Sequence, residues 1–315
     1  MQVFHKLDDV PADFGPTLLS VGNFDGVHRA HTHVLREIVS RGRQQGVKAM
    51  AVTFEPHPIR ILRPDSGFKL LTPTPEKLRL LETTGLDAAL LLPFTRDLSL
   101  MTPHQFAHDI LKKRLQAREV HEGYNFHFGH KAAGNVDMLA GFGRELGFTV
   151  KEYPEMRLRG EPVSSSHIRK LLGEGRASRA RHLLDRPFAI LSTPGRGRGY
   201  GSRYTVPTIN LSRYEELAPR DGVYITRTRV GQECFDSVTN IGNRPTFGAE
   251  SYAIETHLLN FHPLELAPDT EVEIHFLDRL RDEIKFPSIE ALKEQIGRDV
   301  RKAQRYFHLL AELGA

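Results

Sequence analysis

The chain has 315 residues, with 43 Lys+Arg, 39 Asp+Glu, 16 His, one Cys and no Trp, for a formal net charge of +4. At ~100–200 residues per domain that length favours two domains, and 39% hydrophobic with 26% charged residues fits an ordinary globular composition. The single Cys234 excludes an internal disulfide framework, no apolar run approaches the ~18–20 residues of a membrane helix, and so small a charge does not separate nucleic acid, nucleotide and acidic substrate as partners. Residues 1–11 lack the apolar stretch of a signal peptide, so a cytoplasmic location is expected.

Residues 16–23 read as a strand around Leu18, Leu19 and Val21, followed by a glycine-bearing turn and a helix with Val34, Leu35, Ile38 and Val39 on one face. Gly46 ends that helix, and residues 49–54 form a second strand. A helix over 75–84 leads to a third strand at 87–94, apolar throughout, as a strand covered on both faces must be. Helix 103–115, strand 118–122, helix 135–146 and strand 148–153 follow. Repeated β-α-β spacing implies parallel strands and right-handed crossovers, hence an α/β fold with a doubly wound, Rossmann-like sheet. Ligands of such sheets bind beyond the carboxyl ends of the strands. The loops at 22–26, 54–58 and 123–129 fall there.

After residue 185 the pattern changes to runs of strand character at 223–230, 234–241, 252–261 and 271–276, separated by turn signals. These predict a C-terminal antiparallel β-barrel. A terminal helix is expected over 288–313, with Ser288 as N-cap and Leu292, Ile296, Val300, Tyr306, Phe307 and Leu310 apolar. The expected domains are 1–185 and 186–315.

The sharpest motif is Gly22-Asn23-Phe24-Asp25-Gly26-Val27-His28-Arg29-Ala30-His31. Two histidines three apart open a helix directly after a turn out of a strand. Helix N-terminal amides form an anion site, and imidazoles on the same turn can donate to phosphate oxygens. The spacing alone also suits metal ligands or a solvated surface. Phe54-Glu55-Pro56-His57-Pro58 either presents a ring on a rigid loop or is a plain turn. In Gly123-Tyr124-Asn125-Phe126-His127-Phe128-Gly129 the aromatics suit stacking on a flat ring, or core packing at strand spacing. Ser164, Ser165 and Arg169 read as a helix cap with a solvated charge, or as a second phosphate grip.

Together these residues resemble the FAD synthetase module of prokaryotic bifunctional riboflavin kinase/FAD synthetases, within the nucleotidyltransferase superfamily. Residues 71–87, with Leu71-Thr72, Glu76-Lys77 and Gly85-Leu86-Asp87, share the resemblance. It implies adenylyl transfer from ATP to FMN, giving FAD and pyrophosphate. His28 and His31 would hold the ATP phosphates, with Arg169 and Ser165 assisting. Gly22, Asn23, Phe24 and Gly26 would shape the nucleotide loop, while Phe54, His57, Asn125, Phe126, Phe128 and Ser164 would line the nucleotide and flavin site. Ala30 and His127 depart from the family's usual Gly and Arg, and Asn125 from its Asp.

Gly195-Arg196-Gly197-Arg198-Gly199-Tyr200-Gly201 suits either an RGG-type RNA contact or a phosphate-covering flap. It runs into Val206-Pro207-Thr208-Ile209-Asn210, which resembles the Pro-Thr-Ala-Asn motif of riboflavin kinases. The resemblance implies that Gly201, Thr208 and Asn210 bind ATP, that Thr208 and Asn210 hold Mg²⁺ as oxygen donors, and that Glu255 is the general base toward the ribityl hydroxyl. Residues 240–247 and 280–286 resemble later family motifs. Ser202 and Thr205 depart from the pattern, which keeps a monofunctional FAD synthetase with a degenerate flavin-binding barrel as the alternative. Riboflavin, FMN and ATP are the expected partners, with no nucleic acid and no membrane.

Overall fold

The computed structural model describes residues 1–195, 208–243, 252–262 and 266–313. Its contacts divide the chain into two compact units, Met1–Ser165 and Ser166–Ala315. The motif segments 196–207 and 244–251, which include Gly201, Ser202 and Thr205, lie outside the described residues.

The first unit is built on six strands: β1 (Gln2–Phe4), β2 (Thr17–Val21), β3 (Lys48–Glu55), β4 (Ala88–Pro93), β5 (Ala117–Gly123) and β6 (Thr149–Tyr153). They pair in the order β1-β4-β3-β2-β5-β6, every pair parallel. Side chains alternate between the faces. Leu18, Ala49, Ala51 and Ala89 face one layer with α1 (Arg29–Gln45) and α3 (Thr74–Glu82), through Leu35, Ile38 and Leu81. Leu19, Met50, Val52 and Leu90 face the other with α6 (Val136–Leu146), through Leu139. Strand β4 is therefore buried on both sides, as its unbroken apolar run requires.

The sequence pattern gives the helix over 103–115 but not its π character, and it gives neither β1 nor the short elements of the loops. Strand β1 is three residues long, too short to show a period. Helix α5 (Pro103–Gln105) opens on a Thr102 capping box and continues as a π-helix over Phe106–Arg114, where Leu115 N–H donates to Ile110 O at 3.0 Å. Short helices α2 (Pro58–Leu62) and α4 (Arg96–Leu100) lie in the loops, and a small antiparallel pair, β7 (Arg157–Leu158) with β8 (Glu161–Pro162), follows β6.

From β2 the chain moves to β3 on one side, and from β4 it crosses to β5 on the other. The reversal point of the sheet is thus between β2 and β5. A crevice opens there beyond the carboxyl ends of the strands, and the turn after β2 and the loop after β5 border it.

The second unit takes up α7 (Ser165–Gly173) from Ser166 onward and continues with α8 (Ala177–Leu184), the latter against β14. Its strands are β9 (Phe188–Ser192), β10 (Thr208–Asn210), β11 (Gly222–Val230), β12 (Glu233–Asn243), β13 (Tyr252–Leu258) and β14 (Val272–Arg281). They form one antiparallel sheet, β10-β13-β12-β11-β14-β9. A bridge between Pro194 and Leu211 joins its two edges into a barrel. The inner face carries Tyr224 and Phe276 beside a ladder of buried hydroxyls: Thr226, Thr228, Ser237, Thr239 and Thr256 bond one another at 2.7–3.0 Å. Each hydroxyl is satisfied by the next, so burial carries little cost.

Helix α9 (Ile289–Glu312) is capped by Ser288, whose Oγ accepts from Ala291 N–H at 3.2 Å. Ala303 and Phe307 meet the outer face of the sheet at Val223, Ile225, Val238 and Leu277. Asp299 on the same side takes both Arg281 bonds at 2.8–2.9 Å. Leu292 and Ile296 lie outside that contact and are exposed.

Candidate active site

The turn after β2 is held in a costly shape. Phe24 and Val27 adopt φ of 45° and 37°, where side chains other than glycine are strained; such residues cost roughly 1–3 kcal/mol each and persist only when the surroundings over-determine them. Three anchors supply that. The buried Asp25 carboxylate accepts from Leu71 and Thr72 N–H at 3.1 and 3.0 Å. Asn23 O accepts from Thr53 Oγ1 at 3.1 Å and from Lys77 Nζ at 3.4 Å. Asp25 O accepts from Ser165 Oγ at 2.8 Å. Gly22 passes so close to Phe24 that a Cβ there would sit 3.2 Å from the ring, and Gly26 takes φ +86°.

Lys77 is only 4% exposed, and its Nζ also donates to Thr53 Oγ1 at 3.1 Å. Burial pushes its ammonium down, while the Glu55 and Asp25 carboxylates pull it back up. It fixes the turn rather than meeting solvent, which its place in an amphipathic helix did not reveal.

The turn delivers His28 as the N-cap of α1. Its Nδ1 accepts from His31 N–H at 3.4 Å, which puts the ring proton on Nε2. The His28 and His31 rings stack at 3.6 Å and 15°, and Phe24 meets His31 edge-on at 5.2 Å. Two imidazoles and the first amides of a 17-residue helix therefore share one spot at the sheet's reversal point. Backbone donors and ring N–H groups so gathered suit an anion.

The other predicted residues of this unit fall near the carboxyl ends of β3 and β5 and in the turn before α7. Phe54, one residue before the end of β3, meets Phe94 at 5.5 Å. His57 caps α2, accepting from Ile59 N–H at 3.2 Å, and stacks on Phe68 at 4.5 Å. Asn125 is exposed after β5. Phe126 stacks on Phe128 at 5.3 Å, and Phe128 is buried against Phe106, so of the two it is the core ring. Ser164 is half-buried just before α7, and Arg169 follows Ser165 by one helical turn, in the second contact unit.

In the barrel, strand register decides which side chains meet. Glu255 pairs with Asn210 on β10 and with Asn240 on β12. Two residues along, Thr208 pairs with His257. Ile209, Ile254 and Thr256 point inward and are buried, so alternation sets Thr208, Asn210, Asn240 and Glu255 on the outer face. Asn240 Nδ2 also donates to Glu283 Oε1 at 3.3 Å. A hydroxyl, carboxamides and a carboxylate in one patch are hard oxygen ligands that fit a magnesium nucleotide. Among the described residues no group of three His, Cys, Asp or Glu is placed to hold a metal ion.

A family model described as FAD synthetase matches residues 11–167, and one described as riboflavin kinase matches residues 184–307. A bifunctional riboflavin kinase/FMN adenylyltransferase of Escherichia coli (strain K12) is 32% identical over 309 residues, covering 97% of this chain and 96% of its own. The chain belongs to the bifunctional riboflavin kinase/FMN adenylyltransferase family. Family members of the same description from Pseudomonas fluorescens and Haemophilus influenzae are 32% and 29% identical, covering 96% and 98% of this chain and 97% and 100% of their own. A crystal structure described as a macrolide-efflux protein from Streptococcus pneumoniae superposes with a TM-score of 0.85 at 24% identity, over 96% of this chain and 98% of that one. At that identity the likeness speaks for the fold alone. Among the described residues of this family member, no helix is long and apolar enough to cross a membrane.

Proposed function

We infer that the chain phosphorylates riboflavin to FMN and adenylylates FMN to FAD, using ATP in both steps. The observation that carries the reading is the stacked His28–His31 pair at the amide end of α1, set where the parallel sheet reverses. The riboflavin kinase match over 184–307 favours two activities over a monofunctional FAD synthetase. The catalytic halves are proposed to meet at residues 185/186.

In adenylyl transfer, an FMN phosphate oxygen attacks the α-phosphorus of ATP. The bond to the α–β bridging oxygen breaks, and pyrophosphate leaves with the electron pair. Negative charge builds on the oxygens of the leaving group. His28, His31 and the α1 amides bind those oxygens, and Arg169 adds a cation, so catalysis is positioning and charge stabilisation. Asn125, Phe126, Phe54 and His57 orient the nucleotide and flavin, with Phe128 backing Phe126 from the core.

In the kinase step, Glu255 takes the proton of the ribityl 5′-hydroxyl as that oxygen attacks the γ-phosphorus, and ADP leaves. Thr208 and Asn210 would hold Mg²⁺, which neutralises triphosphate charge when bound. We propose a cytoplasmic location, small-molecule partners and no nucleic acid.

Separate feeds test this. Riboflavin with ATP and Mg²⁺ should yield FMN and then FAD, and FMN with ATP should yield FAD and pyrophosphate, both read by chromatography. Absence of both products rejects the function. FAD from FMN without FMN from riboflavin returns the monofunctional alternative.

A further inference from the structure

Glu122 has no part in the mechanism above, yet it is a carboxyl only 3% exposed at the carboxyl end of β5. Strands β2 and β5 pair as far as Leu19 and Val120 and then part. On its other edge β2 stays paired with β3 to the end, Val21 with Val52, and Gly22 N–H donates to Val52 O at 2.9 Å. The separation from β5 opens the crevice but removes the ladder acceptor for Val21 N–H. Glu122 Oε1 takes that donor instead, at 2.7 Å. Val21 is the residue from which the strained turn starts. A buried donor left without an acceptor is costly.

We propose that Glu122 is a positioning residue of the adenylyl-transfer site: its carboxyl replaces the strand acceptor that Val21 loses at the reversal point, and so fixes the turn that delivers His28 and His31. The proposal rests on the reading of that site given above.

The surroundings add a second consequence. Burial pushes the Glu122 carboxyl well above the usual carboxylate range, and the Val21 bond pulls it only partly back. Among the described residues no cation offsets the burial. Strand β2 offers only Ser20 and Val21. On β6 the register partner is Glu152, which is exposed. Arg41 of α1 is taken by Glu119. The π-helix turns Phe106, Ala107, Ile110 and Leu111 inward; Asp109 and Lys113 are exposed, and Lys112 and Arg114 bond the carbonyls of Gly147 and Val10. In the following loop His127 and His130 bond the carbonyls of Asn125 and Ser99. Burial thus favours the neutral form of the Glu122 carboxyl. Ionising it puts a negative charge beside a crevice that must receive a triphosphate, so adenylyl transfer weakens as pH rises.

The test uses the full chain and two near-isosteric variants. Glu122→Leu removes the acceptor, and Glu122→Gln keeps a neutral one. FMN-to-FAD turnover should fall about 10- to 100-fold in Glu122→Leu, with riboflavin-to-FMN turnover within twofold as the internal control of folding. Glu122→Gln should stay within about threefold of the parent at pH 7 and lose its alkaline fall, seen in the parent as a rising KM for ATP. Wild-type turnover of FMN in Glu122→Leu, or the same alkaline limb in Glu122→Gln, overturns the proposal. If Glu122→Leu does not fold, the pH profile of Glu122→Gln decides. A parent chain that makes no FAD overturns the functional reading itself. Hydrogen exchange at the Val21 amide then judges Glu122 alone: slow in the parent and Glu122→Gln supports its role, and fast in either removes it.

Discussion

His28 caps α1 and, in the proposed reaction, presents a donor to phosphate, and the two tasks can be separated. Asn is a good N-cap, so His28→Asn should keep the melting temperature while FMN-to-FAD turnover falls about 10²–10³-fold; riboflavin phosphorylation in the same sample should not change. Equal loss of both activities would contradict the assignment. Glu255→Gln should do the reverse, lowering riboflavin phosphorylation about 10²–10⁴-fold and sparing FAD formation from supplied FMN. The histidine pair was legible because spacing and the strand–turn–helix context are local. Asp25 lay inside the motif, but its partners Leu71 and Thr72 are more than 40 residues away, and no local pattern ties the two segments together. Lys77 stood out only as part of the Glu76-Lys77 resemblance, with no role attached, although it is buried under the turn. Glu255 showed as an acid in an apolar strand, but only the register supplied its neighbours Asn210 and Asn240.

At the scale of elements, α1 is clamped to β5 at the end opposite the histidines. Arg41 binds Glu119 through two bonds of 2.8 Å, Gln45 adds a third at 2.7 Å, and the buried His121 links Glu119 to Tyr153. The Arg41 bond, with help from Gln45 and His121, holds the Glu119 carboxyl down to about 2. Because its folded value is depressed, the stability it contributes is present above the ordinary value of 4.5 and is lost as pH falls toward 2. Melting curves should show the parent losing more stability over that window than Glu119→Gln; parallel curves would refute the clamp. Gly143 on α6 passes so close to the next strand that a Cβ would lie 2.6 Å from Phe148 O. Gly143→Ala should therefore cost about 1–3 kcal/mol in denaturant unfolding, despite Ala being the better helix former. Helices and strands of ordinary length were readable from period and punctuation. The π-helix was not, since nine residues fit α and π spacing alike, and neither were the exposed Leu292 and Ile296, whose apolar period suggested a longer buried face than α9 has.

Over the whole molecule, the change from β-α-β alternation to closely spaced short strands marked two architectures before any coordinates. It also fixed where binding loops must fall, because a parallel sheet gathers the carboxyl ends of its strands at one edge. Barrel closure through Pro194 and Leu211, and the choice of outer rather than inner face for Thr208, Asn210 and Glu255, needed long-range pairing that no local pattern encodes. With the two chemistries set on different architectures, a riboflavin feed should show FMN rising before FAD, and His28→Asn should make FMN the end product. The most direct test of the central claim is a crystal structure of the full chain with a non-hydrolysable ATP analogue and Mg²⁺. In the N-terminal half, the account places phosphate oxygens within about 2.7–3.2 Å of the His28 and His31 rings and the first amides of α1. A nucleotide bound in that half with its phosphates away from this pair would contradict it.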